Sequence, residues 1–212
     1  MSYIFIHGLG QSRSSWDKVI SILSDRVDCP ELPELLGPGG ASYQNLYNGL
    51  EQFCENAEQP MHLCGISLGA VLVMDYTIRH SARIRSLVLI APQYHMPRRL
   101  LKLQNLLFRL LPEKSFRQTG FGREDLISLT NSMMDLKFES LLSNITCKTL
   151  ILCGEKDRAN KSAARALSKK LSNAEVRMIR KAGHEVNLEA PEDLAEILKN
   201  FYQSLEHEIS AV

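Results

Sequence analysis

The residues with the clearest potential for chemistry are Gly65-Ile66-Ser67-Leu68-Gly69, which match the pattern G-x-S-x-G. A serine hydroxyl is a weak nucleophile, so a reactive serine must be held exposed beside a general base. A sharp turn from a strand into a helix provides that exposure, and glycine on either side relieves the crowding of the backbone. We therefore predict that Ser67 is a nucleophile and that the following helix supplies amide donors where negative charge would develop.

Short apolar runs alternate with helical patterns around this motif. Strands are predicted at residues 3–6, 26–29, 61–64, 84–90, 149–153 and 176–179. Such alternation is typical of a parallel sheet with helices on its faces. The loops after Ile6, Cys64, Cys153 and Ile179 should converge, because ligands of such sheets bind outside the carboxyl ends of the strands.

The segment from about residue 94 to 145 interrupts the alternation. It has no strand-like run and predicts two or three helices inserted between the fourth and fifth strands. We predict one domain over residues 1–212, in which this insertion is a helical cap above the carboxyl edge of the sheet.

Residues 100–111 of the insertion contain seven leucines and one phenylalanine, and Arg98, Lys102, Asn105 and Arg109 form one polar stripe. Packing of the cap on the main domain is the role that we favour. Lining of an acyl pocket and contact with a membrane surface are the alternatives.

A pocket beneath the cap would draw its residues from the same insertion. His95 follows the fourth strand and either reaches the pocket or is a solvated loop residue, while Met133 and Met134 are adaptable apolar filler. The predicted substrate contacts are Tyr94, His95, Leu103, Leu107 and Met134.

Composition and charge argue against several classes of protein. The chain has 212 residues, 44% hydrophobic and 23% charged, as in an ordinary globular domain, and its net charge of +1 gives no support for a nucleic-acid partner. Five cysteines without C-x-x-C spacing predict neither disulfides nor a zinc site, and no other metal-ligand spacing is present. Without a membrane-length apolar run or a leader pattern, we expect a cytoplasmic protein with no stable membrane insertion.

With these motifs in order, the chain resembles the α/β-hydrolase superfamily in its small, helical-capped form. The resemblance spans nearly the whole chain and is carried by the G-x-S-x-G motif, His7-Gly8-Leu9-Gly10, Gly154-Glu155-Lys156-Asp157 and Gly183-His184. It implies a three-layer α/β/α sandwich with a mainly parallel six-stranded sheet in the order 2-1-3-4-5-6. The chain departs from the family by starting at the strand before His7, so we expect two of the usual strands to be missing and a sheet edge to be exposed.

The resemblance also implies roles for the residues after the strands. Ser67 is the nucleophile, Asp157 the acid and His184 the general base, in the chain order of the family. Glu155 is the alternative to Asp157.

The oxyanion hole is implied to consist of backbone N–H groups of Leu9 and Leu68, with His7 orienting the first of these loops. Together these roles predict a serine hydrolase that cleaves a carboxylic ester or a related small acyl substrate through an acyl-enzyme, without a metal or cofactor. A non-catalytic ligand-binding module on the same fold and a cofactor-free lyase or acyltransferase are the alternatives.

Overall fold

A six-stranded parallel sheet is the centre of the computed structural model, which describes residues 1–23 and 26–210, except for the side chains of 117, 118 and 207–210. The strands are β1 (Tyr3–Ile6), β2 (Val27–Asp28), β3 (Met61–Ile66), β4 (Ile84–Ile90), β5 (Lys148–Gly154) and β6 (Ala174–Ile179). Each predicted strand is present, with boundaries within two residues of those expected.

The strands lie in the order β2-β1-β3-β4-β5-β6, and every neighbouring pair is parallel. The predicted order and the α/β-sandwich fold are confirmed. The register aligns the carboxyl ends of the inner strands, since Ile6 pairs with Gly65 and Ile66 pairs with Ile90. The loops that follow these strands therefore start from one edge of the sheet.

Helices cover both faces of the sheet. The α-helices are α1 (Asp17–Leu23), α2 (Tyr43–Glu55), α3 (Leu68–Arg79), α4 (Arg98–Leu110), α5 (Arg123–Met133), α6 (Lys161–Lys170), α7 (Val186–Glu189) and α8 (Pro191–Ser210). Short 3-10 helices span Arg13–Trp16, Leu32–Leu35, Ser81–Arg83, Glu113–Thr119 and Glu139–Asn144. Helices α1 and α8 pack on one face of the sheet, and α2, α3 and α6 pack on the other.

Alternation of side chains along each strand explains the two layers. Ile4 and Ile6 of β1 belong to the core that contains α2 and α3, whereas Phe5 points to the opposite core and meets Trp16 with ring centroids 5.1 Å apart. Such strands are apolar on both faces, which is why they appear in the sequence as continuous apolar runs.

The chain between β4 and β5 forms α4, α5 and two of the 3-10 helices. His95 and Lys137 form an isolated antiparallel bridge at the base of this segment, and α4 contacts α5 while α5 contacts α2. In residues 1–23 and 26–210, no helix has the length and apolar character needed to cross a membrane.

Gly154, the last residue of β5, provides a test of how closely the loops at the carboxyl edge approach each other. A Cβ atom at this position would overlap the carbonyl oxygen of Gly183, which precedes His184. We expect Gly154→Ala to lower the free energy of unfolding by about 1–3 kcal/mol, because extra atoms in a packed site force the backbone apart. Gly37→Ala is the matched control, since a Cβ there meets nothing within 4 Å. Equal stability of the two variants in urea denaturation would contradict this close contact.

Candidate active site

Ser67 occupies a one-residue turn between the end of β3 at Ile66 and the start of α3 at Leu68. Its backbone has φ 55° and ψ −115°, a conformation that is costly for a residue with a Cβ atom. The Ser67 N–H donates to the carbonyl oxygen of Ile90 at 2.9 Å, which ties the turn to β4. The strand was expected to end at Cys64 and runs two residues further, so Ser67 follows it directly.

Glycine is required on both sides of this turn because backbone segments touch there. A Cβ on Gly65 would overlap the carbonyl group of Gly69, and a Cβ on Gly69 would overlap the carbonyl oxygen of Ile6. The same contact brings the end of β1 against the first turn of α3. Ser67 and the loop after β1 are thereby held at a fixed separation.

His184 and Asp157 meet across the loops that follow β6 and β5. Nδ1 of His184 lies 2.8 Å from Oδ2 of Asp157, whose side chain is only 4% exposed. An ionised carboxylate only accepts hydrogen bonds, so Nδ1 carries the proton and donates it to Asp157. Nε2 of the neutral imidazole is then the unprotonated nitrogen, which is the form that a general base needs.

Asn160 supports the same carboxylate. Its Nδ2 lies 2.8 Å from Oδ2 and 3.1 Å from Oδ1 of Asp157, and its backbone N–H donates to Oδ1 at 3.2 Å. Burial raises the pKa of Asp157, but hydrogen bonds from His184 and Asn160 outweigh it and lower the pKa below its ordinary value. Gln93 holds the amide in place by donating from Nε2 to Oδ1 of Asn160 at 2.7 Å.

Glu155, the alternative acid, is directed elsewhere. Its Oε2 accepts from the backbone N–H of Lys181 at 3.3 Å, and its carbonyl oxygen accepts from Nζ of Lys161. Of the two acids in this loop, Asp157 is the one hydrogen-bonded to His184.

The loop that carries His184 is held by one carboxylate. Oε2 of Glu189 accepts from the N–H of Gly183 at 2.7 Å, and Oε1 accepts from the N–H of Glu185 at 3.1 Å. These two bonds fix the backbone immediately before and after His184. Hydrogen bonds to a charged acceptor are among the stronger ones in proteins, so they hold the backbone of this loop in one conformation.

His7 orients the loop after β1. The N–H of Leu32 donates to Nε2 of His7 at 3.1 Å, so Nδ1 carries the proton and donates to the carbonyl oxygen of Gly8 at 2.9 Å. Burial lowers the pKa of His7, which favours the neutral form that this pattern requires. The expected structural role of His7 agrees with these bonds.

Gln11 links the loop after β1 to the loop that carries His184. Its Oε1 accepts from the N–H of Gly8 at 3.1 Å and from Nδ2 of Asn187 at 3.2 Å. Its Nε2 donates to Oδ1 of Asn187 and to Oε1 of Glu185, each at 3.2 Å. Two segments that are far apart in the chain therefore share one amide network.

A cavity of about 440 Å³ joins these loops to the segment between β4 and β5. Ser67, His184, Asp157, Leu9 and Leu68 all line it. In the described part of the chain, the N–H groups of Leu9 and Leu68 donate to no protein acceptor. Leu68 is the first residue of α3, where a helix leaves its amides without intrahelical partners.

The far wall of the cavity is apolar. Its main members are Val71, Met96, Leu100, Leu101, Leu103, Leu107 and Met133. Among the described residues, no group of three or more His, Cys, Asp or Glu side chains is placed to bind a metal ion.

Only part of the predicted substrate-contact set lies on this wall. Leu103 and Leu107 line the cavity, whereas Tyr94, His95 and Met134 are not among the residues that line it. Tyr94 packs against the core and His95 is exposed beside its bridge with Lys137.

Met133 takes the place expected of Met134. Successive side chains of a helix point about 100° apart, so only one residue of an adjacent pair faces the cavity. Met133 ends α5 and is buried, while Met134 follows the helix and its carbonyl oxygen accepts from Nε of Arg98 at 3.2 Å.

Residues 3–197 match the alpha/beta hydrolase family. The chain belongs to this family. This α/β-hydrolase is 21% identical over 256 residues to monoacylglycerol lipase abhd6-B of Xenopus laevis, an alignment that covers 97% of this chain and 76% of that protein.

Two solved structures illustrate the likeness of this α/β-hydrolase in fold. A thermophilic esterase from Thermogutta terrifontis has a TM-score of 0.78 and 18% identity, with coverage of 97% of this chain and 90% of that chain. The enol-lactonase from Burkholderia xenovorans LB400 has a TM-score of 0.77 and 15% identity, with coverage of 95% and 91%.

Several polar residues around the site of this hydrolase were not predicted from the sequence. Asn160 carries a local signal, because it is the residue before α6 and lies three positions after Asp157. Glu189 also lies close to its targets in the chain. Gln11 and Asn187 carry no such signal, since 176 residues separate them.

The lowered pKa of Asp157 leads to a test by pH. A carboxyl group whose pKa is depressed on folding adds stability above its unfolded pKa of about 3.9, and this contribution is lost as the pH falls through the folded value. We expect the difference in unfolding free energy between the wild type and Asp157→Asn to shrink as the pH falls below about 4. Urea denaturation over a pH series measures it. A difference that stays constant to the lowest pH would contradict the stabilised carboxylate.

Proposed function

We propose that this protein is a serine hydrolase that cleaves carboxylic esters through an acyl-enzyme. The observation that carries the proposal is the hydrogen bond between His184 and Asp157 at the wall of the cavity that Ser67 also lines. The strained backbone of Ser67 supports it, because such strain is kept mainly where function requires the geometry. The names of the relatives, a monoacylglycerol lipase and an esterase, agree with ester cleavage.

In the acylation step, Oγ of Ser67 attacks the ester carbonyl carbon while Nε2 of His184 accepts the hydroxyl proton. The negative charge on the carbonyl oxygen is stabilised by the N–H groups of Leu9 and Leu68. Asp157 stabilises the imidazolium that forms on His184. When the tetrahedral intermediate collapses, the C–O bond breaks and Nε2 donates its proton to the departing alcohol.

Deacylation repeats these steps with water as the nucleophile. Nε2 of His184 takes a proton from the water as its oxygen attacks the acyl carbon. The bond to Oγ of Ser67 then breaks, the proton returns to Oγ, and the carboxylic acid leaves. The lyase and acyltransferase alternatives would use the same residues, and the acceptor of the acyl group distinguishes a transferase from a hydrolase.

The apolar wall indicates the class of acyl group. A volume of about 440 Å³ lies in the lower part of the range of about 300–1,000 Å³ for small-molecule sites, which favours short to medium acyl chains. The helical segment over residues 94–145 is proposed to be the cap that forms this wall. The cytoplasmic location and the single domain over residues 1–212 stay predictions.

Labelling with a fluorophosphonate probe tests the nucleophile and its base. We expect Ser67 to be modified, Ser67→Ala to remain unlabelled, and His184→Ala to react at least about a thousandfold more slowly, because a serine without its base is a poor nucleophile. Asp157→Asn should also label more slowly than the wild type, because His184 loses the carboxylate that orients it. Glu155→Gln is its control and should label at the wild-type rate. Mass analysis of the intact protein and of its peptides gives the extent and position of labelling. An unlabelled, folded wild type would favour the non-catalytic ligand-binding module.

A series of p-nitrophenyl esters of increasing chain length tests the acyl pocket. Leu107 and Leu106 are 52% and 54% exposed, but only Leu107 is among the residues that line the cavity. Leu107→Trp should shift the preferred acyl chain to shorter lengths because the larger ring occupies cavity volume, whereas Leu106→Trp should leave the preference unchanged. The readout is kcat/KM for each ester. Identical profiles for both variants would place the acyl group elsewhere.

A further inference from the structure

Helix α4 turns its leucines outward. Leu100, Leu103, Leu106, Leu107 and Leu110, here called the leucine face, are between 42% and 74% exposed. Monomeric globular proteins seldom leave so many large apolar side chains together in water, and such patches mark interaction sites. The leucine face therefore points to a partner.

The buried side of α4 is much narrower than its apolar composition suggests. Only Asn105 is buried there, and Leu101, Gln104 and Phe108, which lie beside it at helical spacing, are half-buried. Asn105, expected in the polar stripe, is buried and donates from Nδ2 to Oδ1 of Asn131 at 2.8 Å. Packing of the cap on the main domain therefore leaves most of the leucines of α4 unused.

The leucine face is bordered by positive charge. Helix α4 contains Arg98, Arg99, Lys102 and Arg109 and has no acidic residue. Arg98 pairs with Asp135, whereas the other three have no acidic partner among the described residues. Lys102 and Arg109 are seven residues apart, about two turns, and so share one flank of the helix. Leucines beside unpaired cations are typical of helices that lie in an anionic lipid interface.

The leucine face is continuous with the proposed active site. Leu100, Leu103 and Leu107 belong to the exposed face and also line the cavity that contains Ser67. Whatever covers this face therefore also covers a route into the cavity. A lipid surface can both cover the face and deliver an apolar acyl substrate through it.

A second copy of the chain fits this face less well. In a two-fold dimer through α4, each cationic helix would meet the same helix of its partner. Arg99, Lys102 and Arg109 of the two copies would then be brought together, and juxtaposed like charges are unfavourable in an interface. A bilayer that contains anionic lipids provides the opposite charge.

We propose that the leucine face of α4 docks this protein on anionic lipid bilayers, with the cavity that contains Ser67 opening toward the lipid. The helix lies in the plane of the interface, with Leu106 and Leu110 among the acyl chains and Lys102 and Arg109 against the headgroups. This attachment is made by α4 at the surface and does not require a membrane-spanning segment. The inference goes beyond ester cleavage, because docking needs no reaction at Ser67.

Vesicle flotation of the full chain carrying Ser67→Ala tests the proposal without hydrolysing the lipid. Vesicles of phosphatidylcholine alone are compared with an equimolar mixture of phosphatidylcholine and phosphatidylglycerol. We expect binding to the mixed vesicles that weakens as salt is added, and weaker binding to the neutral ones. The absence of binding to both kinds of vesicle at micromolar protein would overturn the proposal.

Two pairs of substitutions on α4 test the leucine face and its cations. Leu106→Glu with Leu110→Glu should weaken binding by at least about tenfold, because both side chains leave the acyl region. Ile22→Glu with Leu141→Glu is the matched control, since both residues are exposed, at 39% and 45%, and neither lies on α4. Lys102→Gln with Arg109→Gln should weaken binding to the mixed vesicles by roughly twenty-five-fold, about fivefold for each cation, with little effect on neutral ones.

Two further measurements decide what the leucine face binds. Fluorophosphonate labelling of the same variants with Ser67 restored checks that the fold and the proposed site are intact. Analytical ultracentrifugation gives the oligomeric state. The lipid proposal would be overturned if the control pair Ile22→Glu with Leu141→Glu lost vesicle binding to the same extent. It would also be overturned if the protein bound no vesicles and instead formed a dimer that Leu106→Glu with Leu110→Glu dissociates. Because flotation uses Ser67→Ala, failure of ester cleavage would leave its result unchanged.

Discussion

A contact between backbone atoms at the Ser67 turn controls the rest of the site. Gly69 of α3 lies so close to the carbonyl oxygen of Ile6 that any side chain there would overlap it. The contact sets the distance between α3 and the end of β1, and thus between Ser67 and the loop that contains Leu9. The proposed nucleophile and the N–H groups proposed as oxyanion donors are positioned by the same close approach. Gly65 in turn lies against the carbonyl group of Gly69, so both ends of the motif need glycine.

The two sides of the cavity are held by different forces. On the side of the sheet, directional hydrogen bonds fix the loops: Glu189 holds the backbone around His184, and Gln11 connects that loop to the one after β1. On the side of the helical segment, the wall consists of leucine and methionine side chains, which pack without directional bonds. The proposed ester cleavage requires the first kind of order, whereas an acyl group proposed to lie against the second side meets no directional constraint.

Helix α4 shows where an amphipathic pattern is insufficient. Its periodicity distinguishes an apolar face from a polar stripe, but burial of a helix face depends on what the neighbouring elements present to it. Here α5 meets the side that carries Asn105, so the polar residue is buried and the leucines are exposed. The same uncertainty affected the pocket, where Met133 faces the cavity and Tyr94, His95 and Met134 lie outside its lining.

The order of the strands in the sheet was implied by the resemblance to the α/β-hydrolases. The sequence by itself determined the positions of the strands, the Ser67 turn and the loops that bear Asp157 and His184. These depend on local patterns: apolar runs, glycines at a turn, and polar residues directly after strands. Only the tertiary structure showed that Asp157, and not Glu155, is hydrogen-bonded to His184, joined Gln11 to Asn187 across 176 residues, and turned the leucines of α4 outward. The reason is physical, because side-chain direction and long-range contacts depend on how separate elements pack, and no local spacing encodes that packing.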